Sequence, residues 1–119
     1  MTKTILAVDD DPDMLKLVAT HLGAAGFAVR TAANGMQAAA SCLKGVPDLI
    51  ISDVHMPHMG GFDMIKILKS EPAMKDVPVI FLTIDEGRRE RGGELGAVAY
   101  LTKPLKMDEL LATVRKHLS

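Results

Sequence analysis

The sequence is poor in the residues that stabilise small domains by other means than a packed core. It has one cysteine, no tryptophan, one tyrosine and three phenylalanines. A single thiol cannot form an internal disulfide, and Cys42, in an apolar helical pattern, is expected to be a core thiol rather than a reactive one. The chain of 119 residues is long enough to bury an aliphatic core unaided, so residues 1–119 are predicted to form one domain.

The sequence also lacks an excess of positive charge and a long hydrophobic segment. Its formal net charge is −1, so there is no basic field to hold a nucleic-acid backbone or an anionic membrane surface. The apolar run before Asp9 is too short for a signal peptide or a membrane span. We therefore expect a cytoplasmic protein that binds neither nucleic acid directly nor a membrane.

Strand-like and helix-like segments alternate along the whole chain. Most of the strand-like segments are continuous apolar runs, as expected for parallel strands that are covered on both faces. They lie at 4–8, 27–32, 49–52, 79–83 and 99–102. Helical periodicity of apolar residues occurs between them, at 12–24, 36–43, 62–70 and 107–118. This alternation predicts an α/β fold, a parallel sheet with helices on both faces.

Two helical segments carry more specific expectations. Met36, Ala39, Ala40 and Leu43 follow the i, i+3, i+4, i+7 spacing of a core-facing stripe, and the methionines on such stripes are interpreted as core residues. Segment 86–97 contains four glycines and three arginines, with few apolar residues. Because each interior glycine costs about 1 kcal/mol of helix stability relative to alanine, this helix should be short or frayed.

Polar residues follow four of the predicted strands at the point where each strand ends. Asp9 and Asp10 follow the first strand, Asp53 the third, and Lys103 the fifth, while Thr83 closes the fourth. The carboxyl ends of parallel strands meet at one edge of a sheet, where ligands bind in open α/β folds. We therefore expect three carboxylates, one hydroxyl and one ammonium group close together at that edge.

Each of these polar residues also has a structural explanation that needs no site. Asp11 before Pro12 suits a helix N-cap, but capping does not account for the two aspartates before it. Asp53 could equally support the turn that follows, since aspartate favours such positions. Thr83 taken alone reads as an ordinary strand residue, and Lys103 taken alone as a solvated lysine. The prediction of a site rests on their joint placement.

This set of side chains matches the chemistry of phosphoryl transfer to a carboxylate. Crowded carboxylates lose hydration and repel each other unless a cation is present, and hard oxygen ligands favour Mg²⁺, with Mn²⁺ as an alternative. A lysine ammonium and a threonine hydroxyl can bind the phosphoryl oxygens. A carboxylate nucleophile is ionised at neutral pH, so no general base is needed.

Over its whole length the chain resembles the receiver domain of two-component response regulators. The resemblance lies in ILAVDDDPDM, PDLIISDVHMPHMGG, VIFLT and GAVAYLTKP, in the family's order. It implies a CheY-like, flavodoxin-like (βα)₅ doubly wound fold, whose five-stranded parallel sheet has the order 2-1-3-4-5 and helices on both faces.

The resemblance also implies roles for individual residues. Asp53 corresponds to the phosphoacceptor. Asp10 and Asp53 would ligate Mg²⁺, with Asp9 acting mostly through water and the backbone carbonyl of His55 completing the protein ligands.

Three further residues match the family's phosphoryl-binding and switch positions. Thr83 and Lys103 correspond to the residues that bind the phosphoryl group, and Tyr100 with Thr83 to the switch pair. The Lys103-Pro104 bond corresponds to a cis peptide that would aim the lysine into the site.

The implied function is a phosphorylation-activated switch rather than an enzyme with an external substrate. A histidine kinase or histidine phosphotransfer protein would donate the phosphoryl group, and a downstream protein partner of unknown identity would read the changed face. The chain is expected to be a monomer or a weak, phosphorylation-dependent dimer. The alternative is a pseudo-receiver, a phosphate-independent protein-interaction module.

The sequence departs from the family pattern at three places. Ile84 stands after the threonine, where the family usually has a small residue, and is expected to narrow the approach to Asp53. The stretch from Thr83 to Lys103 is shorter than usual, and the shortening falls in segment 86–97, part of a common output face. Leu105 replaces the usual phenylalanine after Lys103-Pro104.

Overall fold

Five parallel strands form the centre of the molecule in a computed structural model, which describes residues 2–118. They are β1 (Thr4–Val8), β2 (Ala28–Ala32), β3 (Leu49–Ser52), β4 (Val79–Thr83) and β5 (Ala99–Thr102). Their order across the sheet is β2-β1-β3-β4-β5, with parallel pairing throughout. This architecture confirms the predicted fold class; only β2 differs, beginning one residue later than expected.

Helices connect the strands in sequence. They are α1 (Pro12–Ala24), α2 (Gly35–Lys44), α3 (Gly61–Lys69), α4 (Arg89–Glu94) and α5 (Met107–Leu118). A 3₁₀ turn at Glu86–Arg88 leads into α4. At six residues α4 is the short helix predicted for segment 86–97. None of the helices within the described residues is long and apolar enough to cross a membrane.

In the strands other than the edge strand β2, alternate residues enter two separate apolar layers. In β1, Leu6 and Val8 pack into the layer that includes residues of α2 and α3. Ile5 and Ala7 point the other way, into the layer that includes residues of α1 and α5. Because successive side chains of a strand face opposite sides, both sides of these strands must be apolar. This explains why the strands read as continuous apolar runs.

The predicted core-facing stripe of α2 is mostly wrong, because only Ala39 of its four residues packs against the core, partly buried. Met36 is 82% exposed and Leu43 is 90% exposed, whereas the buried residues of α2 are Gly35 and Ala38. The helix packs through its small residues, so closely that a Cβ on Gly35 would lie 2.9 Å from the Met59 sulfur. Close packing on small residues turns the larger apolar side chains outward, so the interpretation of methionines as core residues fails for Met36.

Cys42 belongs to α2, is partly buried, and packs against the apolar layer that includes residues of α3. Burial raises the pKa of its thiol, while nearby Arg30 lowers it less. A raised pKa reduces the thiolate fraction at neutral pH, and the thiolate is the reactive form. This agrees with the expectation of an unreactive thiol.

Candidate functional site

Three carboxylates lie at the edge of the sheet where β1 and β3 end. The two strands are neighbours, with Val8 paired to Ser52, so Asp9 and Asp53 follow at the same level. Ligand oxygens of Asp9, Asp10 and Asp53 lie within 4.8 Å of one another. Asp9 is 4% exposed and Asp53 is 8% exposed, whereas Asp10 is exposed. The three carboxylates are crowded as predicted, but Asp10 lies on the solvent-exposed side of the cluster.

Lys103 provides positive charge between two of these carboxylates. Its Nζ lies 3.0 Å from Oδ2 of Asp9 and 3.1 Å from Oδ2 of Asp53. Burial by itself would lower the pKa of Lys103, but its hydrogen bonds to the two aspartates outweigh burial and raise the pKa above the usual value. The lysine is therefore charged at neutral pH. The Lys103-Pro104 bond is cis.

One ammonium group does not balance the carboxylates. Burial raises the pKa of Asp9, although hydrogen bonds from the Asp11 backbone and from Lys103 oppose this effect. The raised pKa means that the ionised form of Asp9 is held at a cost in free energy. A hard divalent cation would relieve that cost, and three carboxylate oxygens within 4.8 Å suit Mg²⁺ or Mn²⁺. The donor set therefore fits the predicted metal.

The backbone at and after Asp53 is held by the end of β3 and the beginning of α3. The Gly61 amide donates to the Val54 carbonyl at 2.7 Å, and the Ser52 hydroxyl donates to the Asp53 carbonyl at 2.8 Å. A Cβ on Gly61 would collide with that same Asp53 carbonyl oxygen. Only glycine permits this approach, so Gly61 positions the aspartate although it contributes no side chain.

Thr83 and Tyr100 are joined through one residue, Asp85. The Asp85 amide donates to Oγ1 of Thr83 at 3.2 Å, and the Tyr100 hydroxyl donates to the Asp85 carbonyl. Thr83 is fully buried and Tyr100 is 6% exposed, so the tyrosine ring is already turned inward. The switch pair predicted from the sequence is therefore connected by hydrogen bonds through the loop after β4.

Arg89 fixes Tyr100 in its inward position, a contact that the sequence did not indicate. The guanidinium carbon lies 5.1 Å from the centroid of the Tyr100 ring, and Nη1 donates to the Tyr100 carbonyl at 2.6 Å. The same side chain pairs with Glu86 at 3.0 Å. No spacing rule distinguishes Arg89 from the arginines on either side, so no signal in the sequence could have identified it.

A second unpredicted contact joins the loops after β3 and β4. Nε2 of His55 lies 2.5 Å from Oδ2 of Asp85. The hydrogen bond from His55 lowers the pKa of Asp85 below its usual value. Asp85 also accepts the Gly87 amide at 3.1 Å, the pattern of an aspartate turn. One feature of the sequence could have indicated this contact: Asp85 lies two residues after Thr83, which ends β4.

Ile84 is placed beside the site but extends into solvent. It follows the buried Thr83, and its side chain is 78% exposed. Its low burial means that replacing it should have little effect on packing. Its effect on phosphorylation rates stays a prediction.

Comparison with known proteins identifies the family. The model of the response regulator receiver domain matches residues 5–115. Response regulator PleD of Caulobacter vibrioides is 39% identical over 117 residues, which cover 97% of this chain and 26% of PleD. The chain spans between about a quarter and a half of the length of the first curated relatives it matches.

Solved structures agree with this result. Chemotaxis response regulator CheY4 of Vibrio cholerae has a TM-score of 0.92 and 36% identity, covering 99% of this chain and 100% of that one. TrrA of Thermotoga maritima, solved in complex with Mg²⁺ and BeF, has a TM-score of 0.88 and 32% identity, covering 98% of this chain and 100% of that one. The chain belongs to the response regulator receiver domain family.

Proposed function

We propose that this chain is a phosphorylation-activated signalling switch in which Asp53 accepts a phosphoryl group. The observation that supports this most directly is the contact of Lys103 with both Asp9 and Asp53, beside the buried Thr83. Together these residues offer a nucleophilic carboxylate, an ammonium group for one phosphoryl oxygen and a hydroxyl group for another.

In the proposed step, a carboxylate oxygen of Asp53 attacks the phosphorus atom and a new O–P bond forms. The bond to the donor breaks at the same centre, and its electron pair leaves with the donor, a phosphohistidine nitrogen or the carboxylate of acetyl phosphate. Lys103, which contacts both Asp9 and Asp53, can then bind one oxygen of the transferred phosphoryl group. Asp10, Asp53 and the His55 carbonyl, with Asp9 acting mostly through water, would hold a Mg²⁺ ion that neutralises part of the charge on the phosphoryl oxygens.

We propose that the phosphoryl donor is a histidine kinase or a histidine phosphotransfer protein. A downstream protein partner is proposed to bind the changed face. The solved complex of TrrA with Mg²⁺ and BeF supports this chemistry, because that relative holds both groups. The alternative, a phosphate-independent interaction module, predicts the same fold but does not require the acceptor Asp53 or the residues around it.

Phosphorylation of Asp53 tests the proposal directly. Incubation with acetyl phosphate and Mg²⁺ should add the mass of one phosphoryl group to the wild type and none to Asp53→Asn. Asp76→Asn, which alters an exposed aspartate, serves as the matched control and should behave as the wild type. Intact-protein mass spectrometry measures all three.

Two outcomes would contradict the proposal. Labelling of Asp53→Asn at the wild-type level would place the acceptor elsewhere. Failure of the wild type to accept a phosphoryl group from both acetyl phosphate and a phosphorylated histidine domain would favour the interaction module.

Ile84→Ala should speed both phosphorylation by acetyl phosphate and loss of the phosphoryl group. Ile84 directly follows Thr83, and we expect its branched side chain to narrow the approach to Asp53 for small donors and water alike. A change of about tenfold corresponds to only 1.4 kcal/mol of barrier. Mass spectrometry over time measures both rates, with Ile67→Ala, an exposed isoleucine on α3, as the control. Unchanged rates would show that Ile84 does not restrict access.

Fluoroberyllate, which mimics an acyl phosphate, should alter the loop after β4 as well as the acceptor. The Thr83 hydroxyl accepts from the Asp85 amide, which leaves its own proton free to donate to a phosphoryl oxygen. Movement of Thr83 should therefore shift amide NMR resonances of Asp85 and Tyr100. In Thr83→Ala the shifts near Asp53 should remain while those at Tyr100 shrink. Shifts confined to the acceptor in the wild type would argue against this coupling.

A further inference from the structure

A basic cleft lies between α3 and the segment formed by the 3₁₀ turn and α4. Its volume is about 270 Å³, and Val54 and Phe62 provide its apolar lining. Lys66 from α3 and Arg88 and Arg91 from the opposite wall bring three cationic side chains to it. His55 also lines the cleft, which therefore adjoins the proposed phosphorylation site, but none of the three acceptor-site carboxylates lines it.

Positive charge is concentrated here against the balance of the whole chain. The formal net charge of the protein is −1, yet the cleft has three permanent cations and one carboxylate, Asp63. Within residues 2–118, Lys66 and Arg88 have no carboxylate oxygen within 4 Å, while Arg91 pairs with Glu94 at 3.1 Å. Like charges held together repel each other, so the arrangement favours an anion.

The cleft is also preorganised. The guanidinium carbon of Arg88 lies 5.3 Å from the centroid of the Phe62 ring, which restricts the side chain before any ligand arrives. Gly60, the N-cap of α3, lines the cleft and offers no side-chain cap, so the positive end of that helix adds to the field. The charges of the side chains supply the main attraction for an anion. The Phe62 ring restricts Arg88, and the N-terminus of α3 adds to the positive field.

We propose that this cleft binds a phosphate group, either free or carried by a small organic molecule. Arginine presents a planar fork of donors that matches phosphate oxygens, and two arginines with a lysine can neutralise a dianion. The volume lies near the lower end for small-molecule sites, about 300–1,000 Å³, which suits a ligand of few atoms. The site is separate from Asp53 and adds a second, non-covalent input to the domain.

The test uses sodium pyrophosphate as probe, in buffer freed of divalent cations so that no metal joins it to the acceptor. Saturable shifts of amide NMR resonances at Gly60, Lys66 and Arg88 are expected. Sodium chloride at equal ionic strength should not reproduce them. Adenosine monophosphate and inorganic phosphate are compared to distinguish the two sources. Tighter binding of adenosine monophosphate indicates a phosphate carried by an organic molecule, and equal binding indicates free phosphate.

Variants locate the site. Arg88→Ala and Lys66→Ala should each weaken pyrophosphate binding by about tenfold, the usual effect of one charge-assisted hydrogen bond. Arg115→Ala, which removes the same charge from an exposed position on α5, should change it less than about twofold. Asp53→Asn should retain full binding. Loss of binding in Asp53→Asn, equal effects of Arg115→Ala and Arg88→Ala, or shifts that follow ionic strength alone would each overturn the proposal.

Discussion

Lys103→Met is expected to lower the melting temperature of the metal-free protein by about 10 °C, or about 3 kcal/mol of unfolding free energy. The side chains of Lys103, Asp9 and Asp53 are 14%, 6% and 11% exposed, so the substitution leaves two carboxylates buried without their cation. Thermal melts of metal-free protein measure the loss. Lys106→Met, at an exposed lysine three residues later, is the control and should melt close to the wild type.

Magnesium and pH sharpen this test. Mg²⁺ should raise the melting temperature of Lys103→Met by more than that of the wild type, because the variant lacks the competing ammonium.

The pKa of Lys103 is raised in the folded state, so the contribution of Lys103 to the stability of the fold is fully present below the ordinary lysine pKa. The difference between variant and wild type should therefore persist at neutral pH and shrink above about pH 10.5, where the lysine loses its charge. Coincident melts at neutral pH without metal would show that these ion pairs contribute no stability.

Two adjacent glycines of α4 should respond to alanine in opposite directions. A Cβ on Gly92 would lie 2.9 Å from Cδ2 of Tyr100 and 3.3 Å from Cδ2 of Phe81, whereas a Cβ on Gly93 meets nothing within 4 Å. Gly92→Ala should therefore destabilise the fold by about 1–3 kcal/mol through overpacking. Gly93→Ala should stabilise it by up to about 1 kcal/mol, since alanine favours the helix. Urea unfolding measures both.

The same pair of variants tests whether α4 controls the position of Tyr100. The chain has no tryptophan and one tyrosine, so its tyrosine fluorescence, excited at a wavelength that phenylalanine does not absorb, reports on Tyr100 alone. Gly92→Ala should change the native-state emission, because the ring must move to admit the new methyl group, and Gly93→Ala should not. If both variants were more stable and neither changed the emission, α4 would have moved away from the sheet at little cost in free energy. In that case α4 would not control the position of Tyr100.

Much of this architecture follows from local pattern. The continuous apolar runs predicted four of the five strands to the residue, because a strand covered on both faces can have few polar positions. The gathering of Asp9, Asp10, Asp53, Thr83 and Lys103 followed from topology alone, since parallel strands place their carboxyl ends together. Glycine content predicted a short α4.

Other features were decided by contacts between distant segments. In α2, periodicity indicated an apolar face, but close packing on Gly35 and Ala38 turned Met36 and Leu43 to solvent. Periodicity records which residues share a face of a helix. It does not record how closely that face approaches its neighbours, which depends on the shape of the surface opposite.

The polar contacts around the switch residues show the same limit. His55 meets Asp85 from 30 positions away, and Arg89 reaches the Tyr100 carbonyl across 11. The order of residues along the chain determined which strands form and which ends they share. The pairing of these side chains was determined by the tertiary structure, because their loops approach one another only after the sheet and helices have packed.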